Sequence, residues 1–256
     1  MPIVTLTTDF GWQDHYLAMI KGAMLCEHPQ LNIVDITHGI QNYDIVQAAF
    51  LFRNAWPSFP KGSIHLISVN DYYAAQKRFL ATSYQDQYFI APDNGLFSLI
   101  FDELPRLIYE LEYNENASFP LREVYASAVG HLAHGRPLLE IGLPAQDVQQ
   151  RITLQPVISN SQIRGSIIYI DGYENAITNI PKSLFDKVGE QRKFSLFFKR
   201  HAPIRRLCHD YHDVPVGDPL CLFNSAGYLE IAINMGRASS LLGLKVDDNI
   251  QIDFHS

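Results

Sequence analysis

Several features that would mark a specialised chemistry are scarce or missing in this chain. Among its 256 residues there are three cysteines, Cys26, Cys208 and Cys221. An odd count with no CxxC pair excludes a disulfide framework and a zinc ribbon. The expectation is reduced, mostly buried thiols in a cytoplasmic protein. No apolar run approaches the roughly 18 residues of a membrane span. The opening Met1-Pro2-Ile3-Val4-Thr5-Leu6 enters a strand pattern with no basic segment and apolar core before it, so no signal peptide is expected. The glycines form neither a GxGxxG fingerprint nor a P-loop, and there is no GxSxG elbow. His131 with His134, and His209 with His212, lack the further ligands that zinc needs, so no metal is expected. Positive charge is in deficit: 20 Lys and Arg against 27 Asp and Glu leave a net charge of −7. That balance argues against nucleic acid as a partner, which needs a positive surface.

What is present is an ordinary globular composition, 47% hydrophobic and 18% charged. A chain of this length buries roughly 70–75% of its unfolded surface and makes one large domain or two small ones. The first half alternates strand-like and helix-like segments. Ile3–Thr7, Leu31–Ile36, Ser63–Val69 and Gln87–Ala91 read as strands. Asp14–His28, Asp44–Trp56 and Glu123–Gly135 read as helices, with apolar residues recurring on one face. The alternation predicts an α/β domain over residues 1–158, with a mixed, mostly parallel sheet and flanking helices.

The second half changes character. Arg164–Asp171, Lys193–Phe198, Pro219–Phe223, Tyr228–Ile233 and Ile250–Phe254 read as short strands. Helical periodicity is nearly absent apart from Ala238–Leu242. An all-β barrel domain over 163–256 follows, with a linker at about 159–162.

Four segments carry candidate chemistry. Thr7-Thr8-Asp9-Phe10-Gly11 ends the first strand, where ligands sit in open α/β sheets. Asp9 there either accepts hydrogen bonds from a ribose diol or caps the following turn. Pro92-Asp93-Asn94-Gly95 is first of all a turn signal. Asp171-Gly172-Tyr173-Glu174-Asn175 through Asn179 places carboxylates, amides and an aromatic together. It reads an adenine edge or an amino acid, or it is a polar hairpin. Asn224-Ser225-Ala226-Gly227-Tyr228 reads as a β-turn.

Taken in order, these segments resemble the S-adenosylmethionine hydroxide adenosyltransferases, relatives of the enzymes that fluorinate or chlorinate S-adenosylmethionine. The resemblance rests on Thr5 to Gly11 with Asp14, Tyr16, Lys21 and Gly22, then on Val34-Asp35-Ile36-Thr37-His38 and Pro92 to Gly95. Asn175-x-x-Thr178-Asn179-Ile180 and Asn224-Ser225-x-Gly227 with Leu229-Glu230-Ile231-Ala232 complete it. It implies a homotrimer with an adenosyl ligand held between subunits, and no cofactor beyond S-adenosylmethionine as substrate or ligand. By carry-over Asp9 would hold the ribose hydroxyls, Asp171 the amino group of methionine, and Ser225 would lie near the carboxylate. Asn175 would contact adenosine, with Tyr173 beside it and Phe119 in the binding set. The implied reaction is attack of a small nucleophile on C5′, expelling methionine.

The chain departs from the water-using members at their Asp-Pro-Gly-Val-Gly loop, at an Arg seven residues after that Asp, and at a Phe-His-Gly-Arg-Asp segment. Counting without gaps from His65 puts Asn70 and Lys77 at the Asp and Arg positions. A one-residue insertion gives Asp71 and Arg78 at the same spacing. Pro120 stands where the histidine is expected, and Leu121 replaces a small residue. Proline carries no proton acceptor and an Asn amide is no general base. Two readings follow: an enzyme with altered nucleophile activation, or a catalytically weak adenosyl-ligand-binding protein on the same scaffold.

Overall fold

A computed structural model describes the whole chain except Ala75, Gln76, Glu115, Leu154 and Ser256. The chain divides into two units, Met1–Thr153 and Leu154–Ser256. The first contains β1 (Ile3–Thr8), α1 (Tyr16–Glu27), β2 (Asn32–Thr37), α2 (Ile45–Ala55), β3 (Ile64–Ser68), β4 (Phe79–Tyr84), β5 (Gln87–Pro92), α3 (Leu96–Ile100), β6 (Ile108–Leu111), α4 (Pro120–Ala133) and β7 (Gly142–Pro144). They build one sheet in the order β2-β1-β3-β5-β4-β6-β7. The pairs β2–β1, β1–β3 and β3–β5 are parallel. The pairs β5–β4, β4–β6 and β6–β7 are antiparallel, so β6 runs with the parallel set and only β4 and β7 oppose it.

Side chains alternate between two cores, as the period of two along a strand requires. Val4, Leu6, Ile64 and Leu66 face a core shared with α1 and α4. Ile67, Phe89 and Ala91 face a core shared with α2 and α3. Helices on both faces explain why the strands read as near-continuous apolar runs. The Asp44 side chain caps α2 by accepting from the Val46 and Gln47 amides. α4 starts at Pro120 rather than near Glu123. Proline suits that first helical position because its missing N–H would have no partner there. β4, β6, β7 and α3 were not legible as separate elements.

The second unit contains β8 (Val157–Ile158), β9 (Gln162–Ile170), β10 (Ala176–Pro181), α5 (Lys182–Gly189), β11 (Lys193–Phe198), β12 (Pro219–Phe223), β13 (Tyr228–Ile233), α6 (Ala238–Leu242) and β14 (Asn249–His255). The main sheet runs β11-β14-β9-β10-β13-β12 and every pairing is antiparallel. β8 pairs with β9, and the Ser159 amide donates to the Gln162 carbonyl across the turn between them. The segment at Ile204–Leu207 bridges the two edge strands, Ile204 to Leu196 of β11 and Leu207 to Cys221 of β12. This curls the sheet into a half-barrel.

One expectation needs correction: the unit holds a second helix, α5. Phe185 and Val188 bury its inner face, with Phe185 edge-on to Phe194 and Phe254. Eight residues give a periodic pattern too short to read. All three cysteines are free, Cys208 and Cys221 buried and Cys26 exposed. Among the described residues no helix is long and apolar enough to cross a membrane, and no cluster of three or more His, Cys, Asp or Glu is placed to hold a metal.

Candidate functional site

The parallel strands of the first sheet deliver three turns to one edge. β1 ends at Thr8-Asp9, β3 at Ser68 before Val69-Asn70-Asp71, and β5 at Pro92 before Asp93-Asn94-Gly95. Hydrogen bonds tie the turns together. Asn94 Nδ2 donates to the Val69 carbonyl at 2.9 Å and to the Asn70 carbonyl at 3.2 Å. Gly95 has φ +97°, and a Cβ there would meet the Arg151 side chain at 2.3 Å, so the turn requires glycine.

Asp9 is the carboxylate at the centre of this edge. It is 9% exposed. Its Oδ2 accepts from the backbone amides of Tyr43 at 3.0 Å and Asn70 at 3.2 Å. Oδ1 receives no hydrogen bond from a described residue. Backbone amides fix the carboxylate without neutralising it, which leaves one oxygen for an outside donor. Four exposed aromatic residues, Trp12, Tyr43, Tyr72 and Tyr73, belong to the loops that follow β1, β2 and β3.

A polar relay begins at Thr8, the residue before Asp9. The Thr8 hydroxyl meets His38 Nδ1 at 2.8 Å, and His38 Nε2 lies 3.0 Å from Asp35 Oδ1. Lys21 Nζ is 2.7 Å from Asp35 Oδ2. Burial opposes charge on Asp35, but Lys21 and His38 outweigh it and hold the carboxyl below its ordinary range. Burial pushes His38 below the ordinary histidine value, which favours the neutral imidazole, while the neighbouring Asp35 works against the shift. Trp12 meets the His38 ring edge-on at 4.6 Å.

The two registers of the loop after β3 separate in space. Lys77 sets its ammonium 4.7 Å over the Tyr72 ring. Arg78 is committed to structure: it lies 2.7 Å from Asp93 and 2.9 Å from Glu110 of β6. Asn70 is half-buried and brings its backbone N–H to Asp9. Asp71 is buried, accepting from Ser68 Oγ at 2.7 Å and from Tyr125 Oη. Ala75 and Gln76 of the loop lie outside the described residues. Phe119 precedes α4 and meets Tyr16 edge-on at 5.6 Å.

In the second unit Asp171 organises the β9–β10 turn. Its Oδ1 accepts from the amides of Tyr173 at 2.9 Å and Asn175 at 2.8 Å, and Oδ2 accepts from Asn175 Nδ2 at 3.1 Å. Asn175 is buried while Tyr173 is almost fully exposed. Ser225 is exposed in the β12–β13 turn, which Asn224 shapes by accepting from Ala226 and Tyr228. Sequence reasoning assigned no role to Glu230, which lies among these residues. It is 2% exposed and accepts from Tyr211 Oη at 2.7 Å. Burial pushes its carboxyl up, and the nearby Asp171 charge adds to this. Glu230 falls on the face of β13 opposite Leu229 and Ile231, where a carboxylate reads as solvent-facing, so the sequence carried no signal of its burial.

Two grooves lie elsewhere. One of about 660 Å³ is lined by Leu104, Arg106, Ile108, Asp147 and Val148, and one of about 560 Å³ by Met19, Cys26, Arg122 and Ala126. Neither contains Asp9 or Asp171.

Comparison with known proteins agrees with this layout. The family profile of the SAM hydroxide adenosyltransferase N-terminal domain matches residues 4–142, and that of the C-terminal domain matches 165–251. A protein of Thermus thermophilus named (R)-S-adenosyl-L-methionine hydrolase is 32% identical over 94% of this chain and 96% of its own. A fluorinase of an Actinoplanes species is 26% identical over 91% of each chain. The crystal structure of an uncharacterized conserved protein from Thermotoga maritima superposes with a TM-score of 0.87 at 31% identity, covering 98% of this chain and 99% of that one.

Proposed function

The chain belongs to the SAM hydroxide adenosyltransferase family, and we propose that it binds S-adenosylmethionine and cleaves the C5′–S bond by attack of a small nucleophile. With water the products are adenosine, methionine and one released proton. With another nucleophile they are a 5′-substituted adenosine and methionine. The sulfonium leaves as a neutral thioether, so no general acid is required. The work of the site is in-line positioning in a pocket cleared of water.

The observation that carries this reading is Asp9. Two backbone amides hold its Oδ2 at the end of β1 and leave Oδ1 for a ribose hydroxyl. Asp171, beside the buried Glu230, gives a cationic amino group two carboxyl groups to face. Asn175 and Tyr173 supply an amide and a ring for the adenosyl portion, and Ser225 a hydroxyl for the carboxylate. Phe119 offers an apolar wall. Asn70 orients the nucleophile through an amide that both donates and accepts, and Lys77 draws an anionic one. The proposal includes a cytoplasmic homotrimer whose ligand is completed by a second copy of the chain.

A second reading has its own observation. Pro120 occupies the first turn of α4 and Asn70 the loop, so neither place holds a general base. On that reading the scaffold binds the adenosyl ligand and turns it over weakly.

Overnight incubation with S-adenosylmethionine, followed by chromatography for adenosine, 5′-chloroadenosine and methionine, separates the two. It is run with and without chloride. Adenosine and methionine above the protein-free control support water attack, and a chloride-dependent product supports a halide. No product with measurable heat of binding supports the binding reading. Neither product nor heat overturns both. Dilution below the trimer's dissociation range should abolish binding.

A further inference from the structure

A second carboxyl group stands close to Asp9 and has no part in that reading. Asp71 is buried in the turn after β3, 7% exposed. Hydroxyls from two elements converge on it: Ser68, last residue of β3, donates to Oδ2 at 2.7 Å, and Tyr125, in the middle of α4, donates to Oδ1. The Tyr125 side chain has no solvent exposure. Asn70 lies between Ser68 and Asp71 with φ +53°, a left-handed conformation that asparagine tolerates better than most side chains. Its amide is the one that reaches Asp9 Oδ2 at 3.2 Å. A single turn is therefore pinned through Asp71 on one side and holds Asp9 on the other.

We propose that Asp71 is a positioning residue: as a carboxylate clamped by Ser68 and Tyr125, it fixes the Asn70 turn and so aims Asp9 at the ribose. The inference rests on the ribose-binding reading of Asp9. Its basis is donor arithmetic. A carboxylate accepts both hydroxyl hydrogens. A carboxylic acid has a hydrogen of its own to place and accepts without the help of a charge, so protonation weakens both hydroxyl contacts and the clamp slackens. The clamp is complete only when Asp71 is ionised.

The groups that act on Asp71 electrically are Asp9 from β1, Tyr125 from α4 and Tyr72 from its own loop. Burial pushes the Asp71 carboxyl up to about 7, and the Asp9 charge adds to this. Tyr125 is pushed up by burial and by Asp71, so it remains a donor. His38, which reaches the site through Thr8, is pushed below the ordinary histidine value by burial. Asp71 is thus the group that changes charge near neutrality, and the clamp tightens as pH rises through that point.

The test is calorimetric titration of the full chain with adenosine from pH 6 to 8.5. Adenosine does not change charge in this range. Wild type should bind several-fold more tightly at pH 8 than at pH 6, with the inflection near 7. Asp71→Asn should bind weakly with no inflection. Tyr125→Phe removes one donor but keeps the carboxyl, so its inflection should move to higher pH. A flat wild-type profile, or an unmoved inflection in Tyr125→Phe, overturns the proposal. So does Asp71→Asn binding as tightly as wild type at pH 8. Binding by neither adenosine nor S-adenosylmethionine at any pH overturns the ribose reading of Asp9 and this inference with it. A pH-dependent wild type with a wild-type-like Asp71→Asn overturns this inference alone.

Discussion

Asp9 and Lys77 offer different things to a ligand, and substitution separates them. Asp9 is a carboxyl acceptor held in place by backbone amides, so its loss removes ground-state binding. Asp9→Ala is expected to weaken adenosine affinity by about 1–3 kcal/mol, the usual range for hydrogen bonds to a charged group. Unchanged affinity by calorimetry would sink the ribose assignment. Lys77 rests on the Tyr72 ring. If it serves the nucleophile, Lys77→Ala lowers turnover and leaves ligand affinity nearly intact, as steady-state kinetics beside calorimetry will show. A parallel loss of affinity would make Lys77 a wall of the pocket. Much at this scale was legible in the sequence. Asp9 and Asp171 stand directly after apolar strands, where a carboxylate has few reasons to be other than turn chemistry or a ligand. The setting of Asp71 was not legible, because its partner Tyr125 is 54 residues away and looks like any core aromatic on a helix.

Strands with a sustained apolar run were readable wherever they lie, the edge strands β2, β11 and β12 included, and short or polar ones were not. β1, β3 and β5 are apolar runs between helices. β6 has four residues and β7 three, which is too short for a period to show. β10 carries Thr178 and Asn179, so it merged with the polar turn before it. What holds the marginal strands is partly electrostatic. Arg78 precedes β4 and joins Asp93 after β5 to Glu110 in β6. The Asp93 side chain is 1% exposed, and burial pushes its carboxyl up even with Arg78 beside it. Removing Arg78 strands that group without its cation. Arg78→Ala is expected to cost about 3 kcal/mol or more in guanidinium unfolding, the scale of a broken buried pair. Adding Asp93→Asn should recover a good part of the loss. If the single variant melts like wild type, the bridge is ornamental and Arg78 becomes available to the site.

At the scale of the whole molecule, two buried groups with large shifts oppose one another, His65 and Asp71, and both lie in the first unit. Both tryptophans, Trp12 and Trp56, lie there too, so their fluorescence follows that unit's unfolding. His65 is fully buried, held between Thr5 at 2.7 Å and Gln87 at 2.6 Å, and burial pushes it from 6.5 down to about 4. Between those values the unfolded chain binds the extra proton, so stability falls on acidification, by about 3 kcal/mol at about 1.4 kcal/mol per unit. Asp71 runs the other way. Burial lifts it from 3.8 to about 7, so the folded chain binds the extra proton and stability falls as pH rises through that window. These two slopes nearly cancel one another between about pH 4 and 6.5. Asp71→Asn removes one slope and exposes the other. Its stability should climb steadily from pH 4.5 to 6.5 and exceed wild type at pH 8, while its adenosine affinity falls. Higher stability with weaker binding is the signature of a charge kept buried for positioning. Guanidinium melts at pH 4.5, 6 and 8, followed by tryptophan emission, make the comparison. If Asp71→Asn is less stable than wild type at pH 8, the hydroxyls of Ser68 and Tyr125 more than offset the burial of the carboxylate, and the group is structural.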